Sequence, residues 1–167
     1  VINPVGATIS FTSFYCKNQL RIGSVGPYLG NTIRLTDVTA NSPKWHPLHL
    51  AGLDGGSFVC DGCTFISTNA VETGVYTGPV RIDGALNIPI TFKNFILTQS
   101  TNANVADSAA MLIDAGPSTM VTLTDGVITG YNGVVLENTA TGSVSGVTAS
   151  FTNVSVTTAV GASFKFN

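Results

Sequence analysis

The stretch 90–98 reads ITFKNFILT, and its pattern decides the fold. Ile90 and Phe92 alternate with Thr91 and Lys93, as a strand with one buried face requires. At Asn94 the alternation slips by one position, so that Phe95 and Leu97 become the apolar members. Such a slip needs a bend, and Asn suits one because it tolerates left-handed backbone and bonds its own main chain. Five more segments align with this one without gaps: ISFTSFYCK (9–17), IRLTDVTAN (33–41), FVCDGCTFI (58–66), VTLTDGVIT (121–129) and ASFTNVSVT (149–157). Their fifth positions, Ser13, Asp37, Gly62, Asp125 and Asn153, are all turn formers. A five-residue partner follows each segment: QLRIG (19–23), PLHLA (47–51), PVRID (79–83), AMLID (110–114), GVVLE (133–137) and SFKFN (163–167).

The third positions lie 24, 25, 32, 31 and 28 residues apart. A period in the twenties with drifting length predicts coils of a solenoid, whose loops lengthen without disturbing the strands. An antiparallel sandwich would not repeat one bend residue at one offset six times. The expectation is a single all-β domain over 1–167, a right-handed parallel β-helix of about six coils. Its inward columns would be Phe11–Leu35–Cys60–Phe92–Leu123–Phe151 and Ile22–Leu50–Ile82–Ile113–Leu136–Phe166. Gly126 departs from the pattern at the position held elsewhere by Phe14, Val38, Cys63, Phe95 and Val154, and a bulge placing Val127 there would repair it.

Composition agrees. Apolar residues make up 44% of the chain, yet no run reaches the length of a membrane span, so no membrane insertion is expected. Only 10% of residues are charged, the net charge is −2, and no basic cluster exists to bind nucleic acid. The start at Val1-Ile2-Asn3-Pro4, without Met, reads as a piece of a longer fibrous protein. The closing strand pattern of 163–167 has no cap after it, so either a further part or a trimer partner would cover that end.

These repeats resemble the right-handed β-helices of the pectate-lyase architecture, where stacked Asn, Ser and Asp turn columns occur. Low charge, abundant Thr, Gly and Asn, and free cysteines make the chain most similar to trimeric bacteriophage tailspikes and tail fibres. The resemblance implies a homotrimer in the virion tail, or another extracellular surface appendage, that contacts a host-surface polysaccharide. No catalytic signature of a named family matches.

Cys60 and Cys63 form a Cys-x-x-Cys, read either as inert buried thiols or as a redox pair or half a zinc site. Their inward parity and the shortage of further ligands favour inert thiols. The same parity argument applies to Cys16, and neither metal nor cofactor is expected. Asp83, Asp114 and Glu137 end successive second segments on the outward face. Stacked carboxylates serve either as the acid pair of a glycosidase or as a solvated or subunit-facing column, with Arg81 beside Asp83.

The linkers within coils measure 1, 5, 12, 11, 3 and 5 residues. The two long ones, 67–78 and 99–109, fall at the same corner of adjacent coils, beside the short linker 42–46. Long loops on a rigid scaffold are where binding residues gather. Trp45 and Tyr76 would stack on a sugar ring, with His46, Glu72, Asn102, Asn104 and Asp107 bonding its hydroxyls. Alternatively Trp45 caps the core beneath its own loop or is buried between subunits. The function expected is glycan binding within a structural module; the alternative is a hydrolase or lyase on the same scaffold. Leu112 and Val135, outward on neighbouring coils, would leave an apolar patch on a monomer, which motivates the trimer.

Overall fold

The structure is a computed structural model that describes residues 6–22, 28–43, 46–68, 78–85, 87–99, 108–137, 146–159 and 161–166. Strands follow one another around a common axis in six rungs. The first holds β1 (Thr8–Thr12), β2 (Tyr15–Cys16) and β3 (Leu20–Ile22). The second holds β4 (Tyr28–Leu29), β5 (Thr32–Thr36), β6 (Thr39–Ser42) and β7 (Leu48–Ala51). The third holds β8 (Leu53–Asp54), β9 (Ser57–Asp61), β10 (Thr64–Ser67) and β11 (Val80–Ala85). In the rest, strands run through the bend: β12 (Pro89–Gln99) with β13 (Ala109–Ala115), β14 (Met120–Gly130) with β15 (Asn132–Glu137), and β16 (Thr148–Thr158) with β17 (Phe164–Phe166).

Every strand pairing is parallel, the mark of a solenoid. One sheet stacks the nine-residue segments and a second stacks β3, β7, β11, β13, β15 and β17, while β4 and β8 form a short third ladder. The register is the one the repeats imply. Phe11 pairs with Leu35, Leu35 with Cys60, Cys60 with Phe92, Phe92 with Leu123, and Leu123 with Phe151. The column from Ile22 to Phe166 is continuous in the same way.

The number of turns needs correction: the solenoid proper has about four, not six. The reason lies at the ends. Buried core residues run from Ile33 to Leu136, whereas Ile9, Phe11, Phe151 and Val156 are only partly covered. The outer rungs pair on one side and therefore act as half-open ends.

The bend column is the feature that the repeats specify most tightly. Ser13, Asp37, Gly62, Asn94, Asp125 and Asn153 all have positive φ, between 50 and 71°. Asn94 Nδ2 donates to Asp61 Oδ1 at 2.8 Å, and Asn153 Nδ2 to Asp125 Oδ1 at 2.8 Å, so side chains tie one rung to the previous one. A second left-handed column, absent from the expectations, stands three residues before each segment: Gly6, Gly30, Gly55, Asn87, Ser118 and Gly146. Together the two columns set the corners on either side of β1, β5, β9 and their successors.

Two expectations about the core change. Gly126 keeps register with Phe95 and Val154, and Val127 stays outside. No bulge forms because the Phe95 ring already fills the space that a Gly126 side chain would need. Cys60 and Cys63 are fully buried, as inward parity requires, but they are joined as a disulfide rather than being separate thiols. Their positions on either side of the Gly62 bend bring the Cα atoms to 6.1 Å, within bridging distance. Cys16 is free.

Candidate functional site

The outer face of the second sheet gathers the chemistry. Register sets Arg21, His49, Arg81, Leu112, Val135 and Lys165 in one outward column, because these residues alternate with inward Leu and Ile on each strand. The next outward column would hold Ala51, Asp83, Asp114 and Glu137. Asp83 pairs with Ala51 and Asp114 with Glu137, but between these pairs the ladder slips. Three steps on β11, from Ile82 to Ala85, match two on β13, from Ile113 to Ala115. Gly84, at φ 62°, sits in this bulge, which is where Gly is needed. The carboxylates therefore form a broken column, not a straight one.

Asp83 is held from two sides. His49 Nε2 donates to its Oδ2 at 2.8 Å, and Arg81 Nε donates to Oδ1 and Oδ2 at 2.8 and 3.0 Å. Burial, the largest single influence, pushes the Asp83 carboxyl up. The hydrogen bonds and positive charge of His49 and Arg81 outweigh it and hold the group below the usual carboxylate range. Glu137 moves the other way. Burial first, then the neighbouring negative charge of Asp114, raise its proton affinity, although Arg81 and Lys165 pull it down. One face thus carries an acid whose charged form is favoured, Asp83, and one whose neutral form is favoured, Glu137.

His46, expected among the ligand contacts, lies beneath this face instead. It is 6% exposed, and its Nδ1 bonds the Gly78 carbonyl at 2.9 Å. Burial lowers its pKa to about 4, with Arg81 and His49 adding to the effect, so it is a neutral supporting ring near neutral pH. Its ring meets that of His49 edge-on at 5.9 Å and so braces the residue that orients Asp83. Sequence parity places His49 outward, but nothing in the pattern distinguishes His46 as buried.

Trp45, Glu72, Tyr76, Asn102, Asn104 and Asp107 lie outside the described residues. Their loop bases do stack: Ser42 pairs with Ser67, and Ser67 with Gln99. Gln99 is buried and bonds Ser108 Oγ and the Tyr131 amide, while Asn132 donates to the Ser108 carbonyl. The corner that carries the long linkers therefore has a rigid polar base.

No protein-family model matches the chain, and neither a curated protein nor a solved structure matches it.

Leu112 and Val135 are outward as expected, yet only 2% and 3% exposed, and with Ala109 they make a small cluster separate from the main core. The exposed apolar patch expected from them does not exist. On the first sheet, by contrast, Ile96 and Val127 pair across adjacent rungs and are each 46% exposed. A shallow open groove of about 440 Å³ lies beside them, lined by Asp125, Gly126, Val127, Asn153, Val154 and Ser155. Among the described residues no cluster of His, Cys, Asp and Glu is arranged to hold a metal ion.

Proposed function

We propose that this chain is a glycan-contacting structural module of a trimeric surface appendage of the bacteriophage tailspike or tail-fibre type. The observation that carries the reading is the clamped Asp83 on the outer face of the second sheet. A carboxylate held by Arg81 and His49 is a rigid hydrogen-bonding platform, and fixed polar groups on a β-scaffold suit the directional hydroxyls of a sugar. The low charge of the chain fits a neutral or weakly acidic polysaccharide better than a phosphate-rich ligand. Lateral trimerisation would cover the paired, exposed Ile96 and Val127.

The test is a glycan array followed by calorimetry. Binding should be lost in Trp45→Ala or Tyr76→Ala with folding intact. If both variants bind as the parent does, the corner is a structural elaboration and not the binding site. A second reading, a glycoside hydrolase or lyase, is favoured by one observation: burial and the neighbouring charge of Asp114 raise the proton affinity of Glu137, the direction a general acid requires. Cleavage of a bound glycan that disappears in Glu137→Gln and in Asp114→Asn would establish that reading in place of binding alone.

A further inference from the structure

Both members of the Cys60-x-x-Cys63 pair are 0% exposed, and a disulfide joins them across the bend Asp61-Gly62. Rung two covers the bridge on one side and rung four on the other. Cys60 pairs with Leu35 and with Phe92. Cys63 precedes Thr64, which pairs with Thr39 and Ile96, so Val38 and Phe95 flank Cys63 in the same way. Leu35, Val38 and Phe92 are 0% exposed and Phe95 is 1% exposed, so no reagent in water reaches either sulfur. Ile96 N donates to Cys63 O at 2.9 Å and Gly62 N to Lys93 O at 3.0 Å, which holds rung four against the bridge. Gly62 is also the one bend residue of the six without a side chain. Asn94 and Asn153 tie their bends to the preceding rung by side-chain bonds, whereas rung three carries a covalent tie across its own bend.

We infer that this bridge is made while the chain is still open, by exchange with a disulfide-bearing oxidant, and is then sealed in by rungs two and four. Exchange needs a thiolate in line with a disulfide, and the closed rungs leave no approach to one. The chemistry runs in two steps. The thiolate of one cysteine attacks the oxidant's disulfide, which forms a mixed disulfide and expels the oxidant's second sulfur as a thiolate. The thiolate of the other cysteine then attacks the protein-side sulfur of the mixed disulfide, which closes Cys60–Cys63 and expels the oxidant's remaining sulfur. Two electrons pass to the oxidant, and the two protons lost by the cysteines end on its dithiol form. The partner is therefore a disulfide donor that acts on the unfolded chain. Folding then belongs to an oxidising compartment, the setting of an exported surface appendage. Once closed, the pair neither exchanges nor binds metal, unlike an accessible redox Cys-x-x-Cys. The inference concerns how rung three is closed and does not rest on glycan binding or on trimers.

The experiment follows refolding of the reduced, urea-unfolded 167-residue chain with Cys16→Ser, which confines the thiol chemistry to the pair. Oxidised glutathione is the oxidant, and mass spectrometry of alkylated thiols is the readout. Oxidised glutathione present from the moment of dilution should give the Cys60–Cys63 bridge in the folded product. Added after folding is complete by circular dichroism, it should react at least about a hundredfold more slowly, because exchange must then wait for the rungs to open. A reduced chain that folds only once oxidant is present would show the same order, bridge before closure. Protection should hold in reverse: dithiothreitol should spare the bridge of the folded chain and cleave it readily in urea. The oxidised chain should melt about 4–8 °C above a reduced chain that folds. Equal oxidation rates before and after folding, ready cleavage by dithiothreitol without urea, or no gain in thermal midpoint on oxidation would overturn the inference. So would a folded product of the oxidising arm in which Cys60 and Cys63 both alkylate.

Discussion

Replacing Asn94 with Val tests the bend column at its centre. Asn94 sits at φ 50°, where an L residue pays about 1–2 kcal/mol relative to right-handed backbone and a β-branched one more. Asn offsets part of this with its bond to Asp61, which at an exposed site contributes about 0.5–1.5 kcal/mol. Val cannot escape by rotating the peptide. The flanking bonds, Gly62 N to Lys93 O at 3.0 Å and Ile96 N to Cys63 O at 2.9 Å, fix the chain on both sides of the bend. The expected loss is about 2–3 kcal/mol, or roughly 4–12 °C in thermal midpoint for a domain of this size. Asn94→Gly keeps left-handed freedom and loses only the side-chain bond, so it should cost about 1 kcal/mol. Lys93→Thr, one residue away and exposed, should stay within about 0.5 kcal/mol. The assay is denaturant unfolding followed by circular dichroism. Val and Gly variants of equal stability, or a Val variant equal to Lys93→Thr, would refute the reasoning.

Gly126→Val restores the repeat pattern yet should destabilise by about 1–3 kcal/mol, because the new side chain meets the Phe95 ring; Phe95→Leu in the same chain should recover part of the loss on thermal melts. His46 titrates near 6.5 when unfolded and about 4 when folded, so the unfolded chain binds more protons between those values. Stability should therefore fall as pH drops from about 6.5 to 4, by up to about 3 kcal/mol in denaturant titrations at several pH values. His46→Asn, which retains a donor for the Gly78 carbonyl, should flatten that interval. Glu137 has a raised folded pKa, so its ionisation destabilises the fold as pH rises. Glu137→Gln should therefore gain stability relative to the parent at pH 8 and not at pH 3.

How much was legible follows from what repeats. The register of both sheets, the inward columns and the bend at Ser13, Asp37, Gly62, Asn94, Asp125 and Asn153 could all be read, because each recurs six times at a fixed offset. The second turn column recurs as regularly, as Gly, Gly, Gly, Asn, Ser and Gly, and the signal was available three residues before each segment. Single events left no such trace. The Gly84 bulge that breaks the carboxylate column occurs once, and so does the Phe95 ring that takes the place of a Gly126 side chain. Parity named Leu112 and Val135 as outward, but outward is not exposed, and alternation cannot show what covers a face. Likewise the burial of His46 depends on the Gly78 carbonyl 32 residues away, beyond any local pattern.

The stacked register is the claim on which both the site and the bend column depend, and paired spin labels measure it directly. Thr12, Lys93, Thr124 and Thr152 belong to one outward column, on rungs one, four, five and six. In a chain with Cys16→Ser, electron–electron distances from residue 12 to 93, 124 and 152 should rise in equal steps of about 4.8 Å, reaching about 24 Å at residue 152. Distances that fail to increase in that order, or steps near the 10 Å between packed sheets, would contradict the solenoid.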